Sequence, residues 1–302
     1  MTLRLPTRAA EPELTTDHSG QSKRPKNLSG GLTTAASHGF LFIWAVMVTV
    51  PLLWSVLSAL KSDQEIFTSP WTLPSTWHFD NFVRAWSQAD IGSYFFNSII
   101  VVLGGVALTL LLSSMVAYVL ARFQFPGNRI VYYTFVGGML FPVFLALVPL
   151  FFVVKNLGLL NTYQGLILVY ATQSMSFSIF FLCAFFRTQP SSLVEAALLD
   201  GCTHWGAFFR VMLPLAKPGL ISIGIFNFLG MWNQYLLPLV LTTDPSKFVI
   251  AQGLANLSVN RGYRSDFSGL FAGLVISMVP VLLVYVLFQR RITDGMTAGA
   301  LK

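Results

Sequence analysis

Six stretches of this chain, residues 40–60, 94–120, 130–154, 164–186, 218–241 and 267–288, are long, apolar and free of Asp, Glu, Lys and Arg. Each approaches the roughly 20 residues that a helix needs to cross about 30 Å of hydrocarbon. In that medium the backbone must satisfy its own hydrogen bonds, so the stretches read as six transmembrane helices of an all-α membrane protein. A soluble fold is excluded by the same chain. With 54% hydrophobic and 10% charged residues and a mean hydropathy of +0.66, too few polar groups remain to cover a water-facing surface.

Residues 1–37 are polar, rich in Pro, Ser and Thr, and carry mixed charge; they are expected to form a disordered cytoplasmic tail without a cleaved signal peptide. Residues 38–288 would form the membrane domain, and 289–302 a cytoplasmic C-terminal tail. Translocation leaves Lys and Arg preferentially inside, and with both termini cytoplasmic 13 of the 19 fall on that side. They include Arg122 and Arg129 after the second span and Arg187, Arg210 and Lys217 after the fourth. The net charge of +7 is therefore mostly a topology signal, and no basic stripe interleaved with aromatics points to nucleic acid. Cys183, inside a span, and Cys202, in a cytoplasmic loop, read as unpaired thiols. His18, His38, His78 and His204 are too scattered for a metal site or a catalytic pair.

Helix breakers interrupt several spans: Pro51, Pro142 and Pro149, Pro238, and Pro280. Each removes a backbone hydrogen bond that neighbouring groups must replace. Helix packing is the ordinary reading of these prolines and of the intramembrane glycines, and a hinge the less common one. The spans hold no ionisable residue of the kind that ion-coupled carriers keep near the midplane, and the chain has no GxxxxGK[ST] phosphate loop. Uphill transport would thus need a partner to supply energy. Uncharged polar groups do occur mid-span. Gln173, Ser176, Asn227, Trp232, Asn233 and Gln234 are the candidates for a pathway suited to a neutral polyol, and interhelical hydrogen bonding is the competing account.

The loop at 187–217 is the most informative segment. Ser192 and Glu195 have capping-box spacing, Asp200-Gly201 can close a short helix, and Thr203 can cap a second one. On that second helix Trp205, Phe208, Phe209 and Met212 recur at helical spacing, making one apolar face before Pro214 stops it. Such a face either docks a partner or lies on the lipid headgroups or against the protein's own spans.

Glu195-Ala196-Ala197, then Gly201, then nine residues and Val211-Met212-Leu213-Pro214, resembles the EAA loop of binding-protein-dependent ABC importer permeases. Phe96-Asn97-Ser98, the run from Leu157 to Tyr163, Trp232-Asn233-Gln234-Tyr235 and the run from Gly295 to Ala300 resemble the six-helix subunit of maltose-type importers in the carbohydrate branch. The resemblance implies the type I importer permease fold in a bacterial inner membrane. It implies a second homologous permease, two copies of an ABC ATPase and an extracytoplasmic solute-binding protein as partners. ATP and Mg would be held by the ATPases, with no cofactor or catalytic residue on this chain. ATPase coupling would fall to Glu195, Ala196, Ala197, Asp200, Gly201, Trp205, Phe208, Phe209, Leu213 and Pro214. The cargo would be a sugar or oligosaccharide, with a sugar phosphate or polyol such as glycerol phosphate as the alternative.

Overall fold

The computed structural model describes residues 28–260 and 266–298, and among them there is no strand. The chain divides into two units, residues 1–51 and 52–302. The described part of the first unit is the leading stretch of α1 (Leu28–Ser58), which begins well before the tail boundary expected at residue 37. Extending a helix costs far less than starting one, so the span can propagate backwards through Thr34 to Ala36. His38 Nδ1 meets the Thr34 carbonyl at 2.7 Å along the way. Residues 1–27 lie outside the described residues.

In the second unit three long helices carry the bundle: α4 (Ile91–Arg122), α7 (Tyr163–Thr188) and α14 (Phe267–Ala298). With α1, these are the helices long and apolar enough to cross a membrane unbroken. The helix of α14 continues to Ala298, beyond the tail start expected at 289.

The third and fifth expected spans are not single helices. Residues 130–154 fall into α5 (Asn128–Met139) and α6 (Val143–Asn156), bent by 106°. Pro142 sits at the break with extended backbone, since its ring would clash with the carbonyl four residues back. Residues 218–241 become α11 (Lys217–Trp232) and α12 (Leu236–Leu241), separated where Pro238 can neither donate to Gln234 nor pass its carbonyl. Pro51, Pro149 and Pro280, by contrast, lie inside continuous helices.

The connections gather at two ends. At one, α2 (Asp63–Thr68) and α3 (Asp80–Ser87) pack on the start of α14, where Arg84 Nη2 donates to Asn81 Oδ1 at 2.6 Å and to Ser268 Oγ at 3.1 Å. Asn161, at φ 55°, accepts from the N–H groups of Thr243 and Asp244 at 2.6 and 3.0 Å. The α13 helix (Ile250–Asn260) lies at this end too. At the opposite end Arg122 Nη2 donates to the Gln189 carbonyl at 2.6 Å, which holds the end of α4 to the loop after α7. The loops after α3, α6 and α12 thus share one end of the bundle, and those after α4 and α7 the other.

Two apolar cores follow the same division. One packs Val101, Tyr170, Trp232, Leu237 and Ile250; the other packs Tyr118, Leu182, Phe186, Met212 and Ile223 beneath the 187–217 loop.

Candidate functional site

The 187–217 segment folds as a projecting helix pair. The first member, α8 (Ser192–Leu199), starts one residue earlier than its sequence suggests. Ser191 is already helical, so Ser192 lies inside the helix and the expected Ser192–Glu195 capping box does not form. The Glu195 N–H instead goes to the Ser191 carbonyl at 3.2 Å, and its exposed carboxylate has no hydrogen bond among the described residues. Ala196 and Asp200 are exposed beside it, whereas Ala197 is buried.

Gly201 closes α8 at φ +84°. The Cys202 N–H reaches back to the Ala197 carbonyl at 2.9 Å and the Gly201 N–H to that of Leu198 at 3.0 Å, the paired bonds of a Schellman ending. Thr203 then caps α9 (His204–Ala207) by accepting from the Gly206 N–H at 3.2 Å.

After α9 the chain makes a π-helical turn, Phe208–Met212, in which the Leu213 N–H bonds to the Phe208 carbonyl. Pro214, which has no N–H to donate, follows this turn, and the helix runs through α10 (Leu213–Leu215) before a 73° bend into α11. The apolar face expected from spacing is therefore divided. Phe208 is 2% exposed and Met212 fully buried in the core below, while Trp205 and Phe209 stack outward with ring centroids 6.1 Å apart. Phe208 is thus corrected from the exposed surface to the core. Leu213 is half-buried and Pro214 exposed.

One residue escaped sequence reasoning. Leu199 is 88% exposed at the tip of α8, and its signal was available: a large apolar residue directly before a helix-closing Asp-Gly.

The mid-span polar residues separate into two groups. Gln173, Ser176 and Thr172 line a cleft in the angle between α5 and α6, with Gly138, Ala146 and Leu237 around it. Ser176 approaches so closely that a Cβ on Gly138 would stand 2.8 Å from its Oγ. No charged side chain lines this cleft. The other candidates point elsewhere. Asn227 is buried and donates to Ser178 Oγ at 2.9 Å, and Trp232 is buried with its Nε1 donating to the Ser277 carbonyl at 3.1 Å. Both serve as bonds between helices. Asn233 is exposed and folds its amide back onto the Leu229 carbonyl at 2.8 Å, and Gln234 is half-buried in the break before α12.

This architecture defines a polytopic helical membrane protein that carries a projecting helix pair at one end of its bundle. Residues 109–298 match the family described as the binding-protein-dependent transport system inner membrane component. The diacetylchitobiose uptake system permease protein NgcG of Streptomyces coelicolor is 52% identical over 268 residues, covering 89% of each chain. The trehalose transport system permease protein SugB of Mycobacterium tuberculosis is 34% identical, covering 86% of this chain and 97% of the relative. Among solved structures, a chain of a bacterial ABC transporter involved in import of the acidic polysaccharide alginate shares the fold. Its TM-score is 0.79 at 23% identity, with 87% of this chain and 97% of that chain covered. The chain belongs to the binding-protein-dependent transport system inner membrane component family and is a multi-pass membrane protein.

Proposed function

We propose that this chain is the permease subunit of an ATP-binding-cassette importer for a neutral amino-sugar oligosaccharide of the diacetylchitobiose type. The observation that carries the cargo class is the 52% identity, across 89% of both chains, to a diacetylchitobiose uptake permease. Thr172, Gln173 and Ser176, the uncharged polar groups of an otherwise apolar α5–α6 cleft, support it, because hydroxyl and acetamido groups are recognised by such donors and acceptors without a counter-ion. A sugar phosphate would call for a cation in the pathway, and the cleft has none.

In this assembly a second homologous permease supplies the other half of the pathway, and a solute-binding protein delivers cargo at the end built by α2, α3 and α13. Two ABC ATPases, which hold ATP and Mg, seat the projecting helix pair at the other end. Both termini are cytoplasmic and the bent α5–α6 pair counts as one span, so that six spans cross the bilayer. Chemistry on ATP is left to the partners; this chain moves in response. The exposed Leu199, Trp205 and Phe209 suit such seating, since apolar anchors beside a polar rim dominate protein contacts.

The test is uptake of diacetylchitobiose by the reconstituted complex with Gln173→Leu. Removing about one substrate hydrogen bond, worth about 1.5 kcal/mol, lowers uptake roughly tenfold while ATPase retention stays normal. Uptake at the wild-type rate would remove the cleft from the pathway. Orientation is read separately: an impermeant thiol reagent added to intact cells should label Ser246→Cys and miss Ser192→Cys.

A further inference from the structure

Beside the α5–α7 junction, at the end of the bundle proposed above as cytoplasmic, lies an open cavity of about 520 Å³ unrelated to the helix pair or the α5–α6 cleft. Its walls are the turn from Leu120 to Ile130 and the end of α7, and they contribute Arg129, Arg187 and Gln124 but no acidic residue. The turn is built rather than loose: Asn128 Nδ2 donates to the Phe123 carbonyl at 2.7 Å, and Gly127 takes φ +89°. Arg187 lies over the Tyr132 ring at 5.1 Å, and Tyr132 stands one turn along α5 from Arg129, so both guanidinium groups face one space. Neither is paired with a carboxylate among the described residues.

We infer that this cavity seats the phosphate of an anionic phospholipid of the cytoplasmic leaflet. Two unpaired arginines on facing helix ends make a site for a phosphodiester, which guanidinium groups bind through several charge-assisted hydrogen bonds. A lipid fits better than a soluble anion because the α5 surface next to the cavity is apolar and outward-facing. Ile130 is 73% exposed and Tyr133 66%, a track along which acyl chains can lie. The depth agrees as well, since Arg122 and Arg187 fall in the last turns of the spanning helices α4 and α7, where headgroups stand. A bound headgroup ties the start of α5 to the end of α7, immediately before the chain enters the projecting helix pair. This inference rests on the cytoplasmic placement of that end and on nothing about the cargo.

The experiment is native mass spectrometry of the purified full complex titrated with phosphatidylglycerol or phosphatidylcholine, alongside sugar uptake in vesicles of each lipid. The wild-type complex should retain phosphatidylglycerol preferentially. Arg129→Gln with Arg187→Gln should weaken that retention about thirtyfold, and the paired Lys substitutions should keep part of it. Lys155→Gln, which removes one positive charge from the far end of α6, should change nothing. Equal retention of the two lipids by the wild-type complex overturns the inference, and needs no variant to fold. So does displacement of the lipid by inorganic phosphate at comparable concentration, which marks a soluble-anion site. A cross-link from Gln124→Cys to an ATPase subunit, with no lipid retained, overturns it in favour of a protein interface. A complex that imports sugar yet shows no lipid preference loses this inference alone, while the proposed function stands.

Discussion

The Tyr163 hydroxyl donates to Asn97 Oδ1 at 2.7 Å, while the Asn97 amide donates to the Ser246 and Phe248 carbonyls at 3.0 and 2.9 Å. One buried side chain thereby joins α4, the start of α7 and the segment leading into α13. Ser98 adds a fourth bond by accepting from the Ile250 N–H at 2.8 Å. Asn97→Ala leaves two carbonyls and a phenol without their partner in a buried setting, where each orphaned group costs about 1–3 kcal/mol. The expected outcome is a loss of roughly 3 kcal/mol or more, seen as a lower unfolding midpoint of the detergent-solubilised complex. An unchanged midpoint would mean that water replaces these bonds.

Burial divides the aromatic face of the helix pair, and this yields opposite expectations for adjacent residues. Phe208→Ala opens the core beneath the pair and should cost about 3–5 kcal/mol of stability. Trp205→Ala loses the outward stack and Phe209→Ala that stack and an edge contact with Phe208, about 1–2 kcal/mol, but each should weaken ATPase retention about thirtyfold if they anchor the seat. Comparing thermal unfolding with ATPase stoichiometry separates the two effects. Equal destabilisation by all three would return the stripe to the core.

Sequence periodicity made the long spans and the helix pair legible because both obey local rules: uninterrupted apolar length, a hydroxyl cap at Thr203 and a glycine ending at Gly201. It failed where tertiary contacts choose between two allowed outcomes. Pro142 and Pro149 look alike in sequence, yet Pro142 breaks its span and Pro149 is absorbed within α6. Asn227 and Gln173 are both mid-span amides, and only the packed structure gives the first to Ser178 and the second to the cleft. The one-residue shift of α8 and the π-helical turn that buries Phe208 are register effects, which spacing alone cannot resolve. Lys61 was equally hidden. Spans are recognised by lacking charge, so a lysine just past one reads as a solvated loop residue. It is in fact fully buried, with Nζ donating to the Ser69 carbonyl at 2.7 Å.

Glu65 gives the opposite end of the molecule a pH response. Hydrogen bonding from Ser75, whose N–H stands 2.9 Å from Oε1, holds the Glu65 carboxyl below the usual carboxylate range. A folded value below the unfolded one stabilises the 62–75 loop at all pH above the unfolded value. That stabilisation is lost as pH falls through the lowered folded value. Hydrogen exchange of this loop, corrected for intrinsic rates, should therefore be slow above the ordinary glutamate value near pH ~4.3 and quicken steadily as pH falls from there to the lowered folded value. In Glu65→Gln the step should vanish. Exchange that stays equally slow at every pH in the wild-type protein would show that the Ser75 bond does not form.

Gly201 offers the sharpest test of coupling, because its surroundings leave only one way for a substitution to act. At φ +84° it occupies a backbone region that costs an L-residue about 1–2 kcal/mol, and more when the side chain is β-branched. A Cβ there would meet no atom within 4 Å, so steric collision plays no part. Asn tolerates the left-handed region, Ala tolerates it poorly and Val least. The Gly201→Asn, Gly201→Ala and Gly201→Val complexes should then fall in that order in uptake and in the response of ATP hydrolysis to loaded binding protein. Membrane levels should stay similar, since α7 and α11 do not need this turn to insert. In the Val variant the Schellman bonds to Ala197 and Leu198 give way, and the Trp205–Phe209 stack is presented at a different angle to α8. Wild-type uptake and full stimulation in Gly201→Val would show that the angle between the two helices carries no signal to the spans.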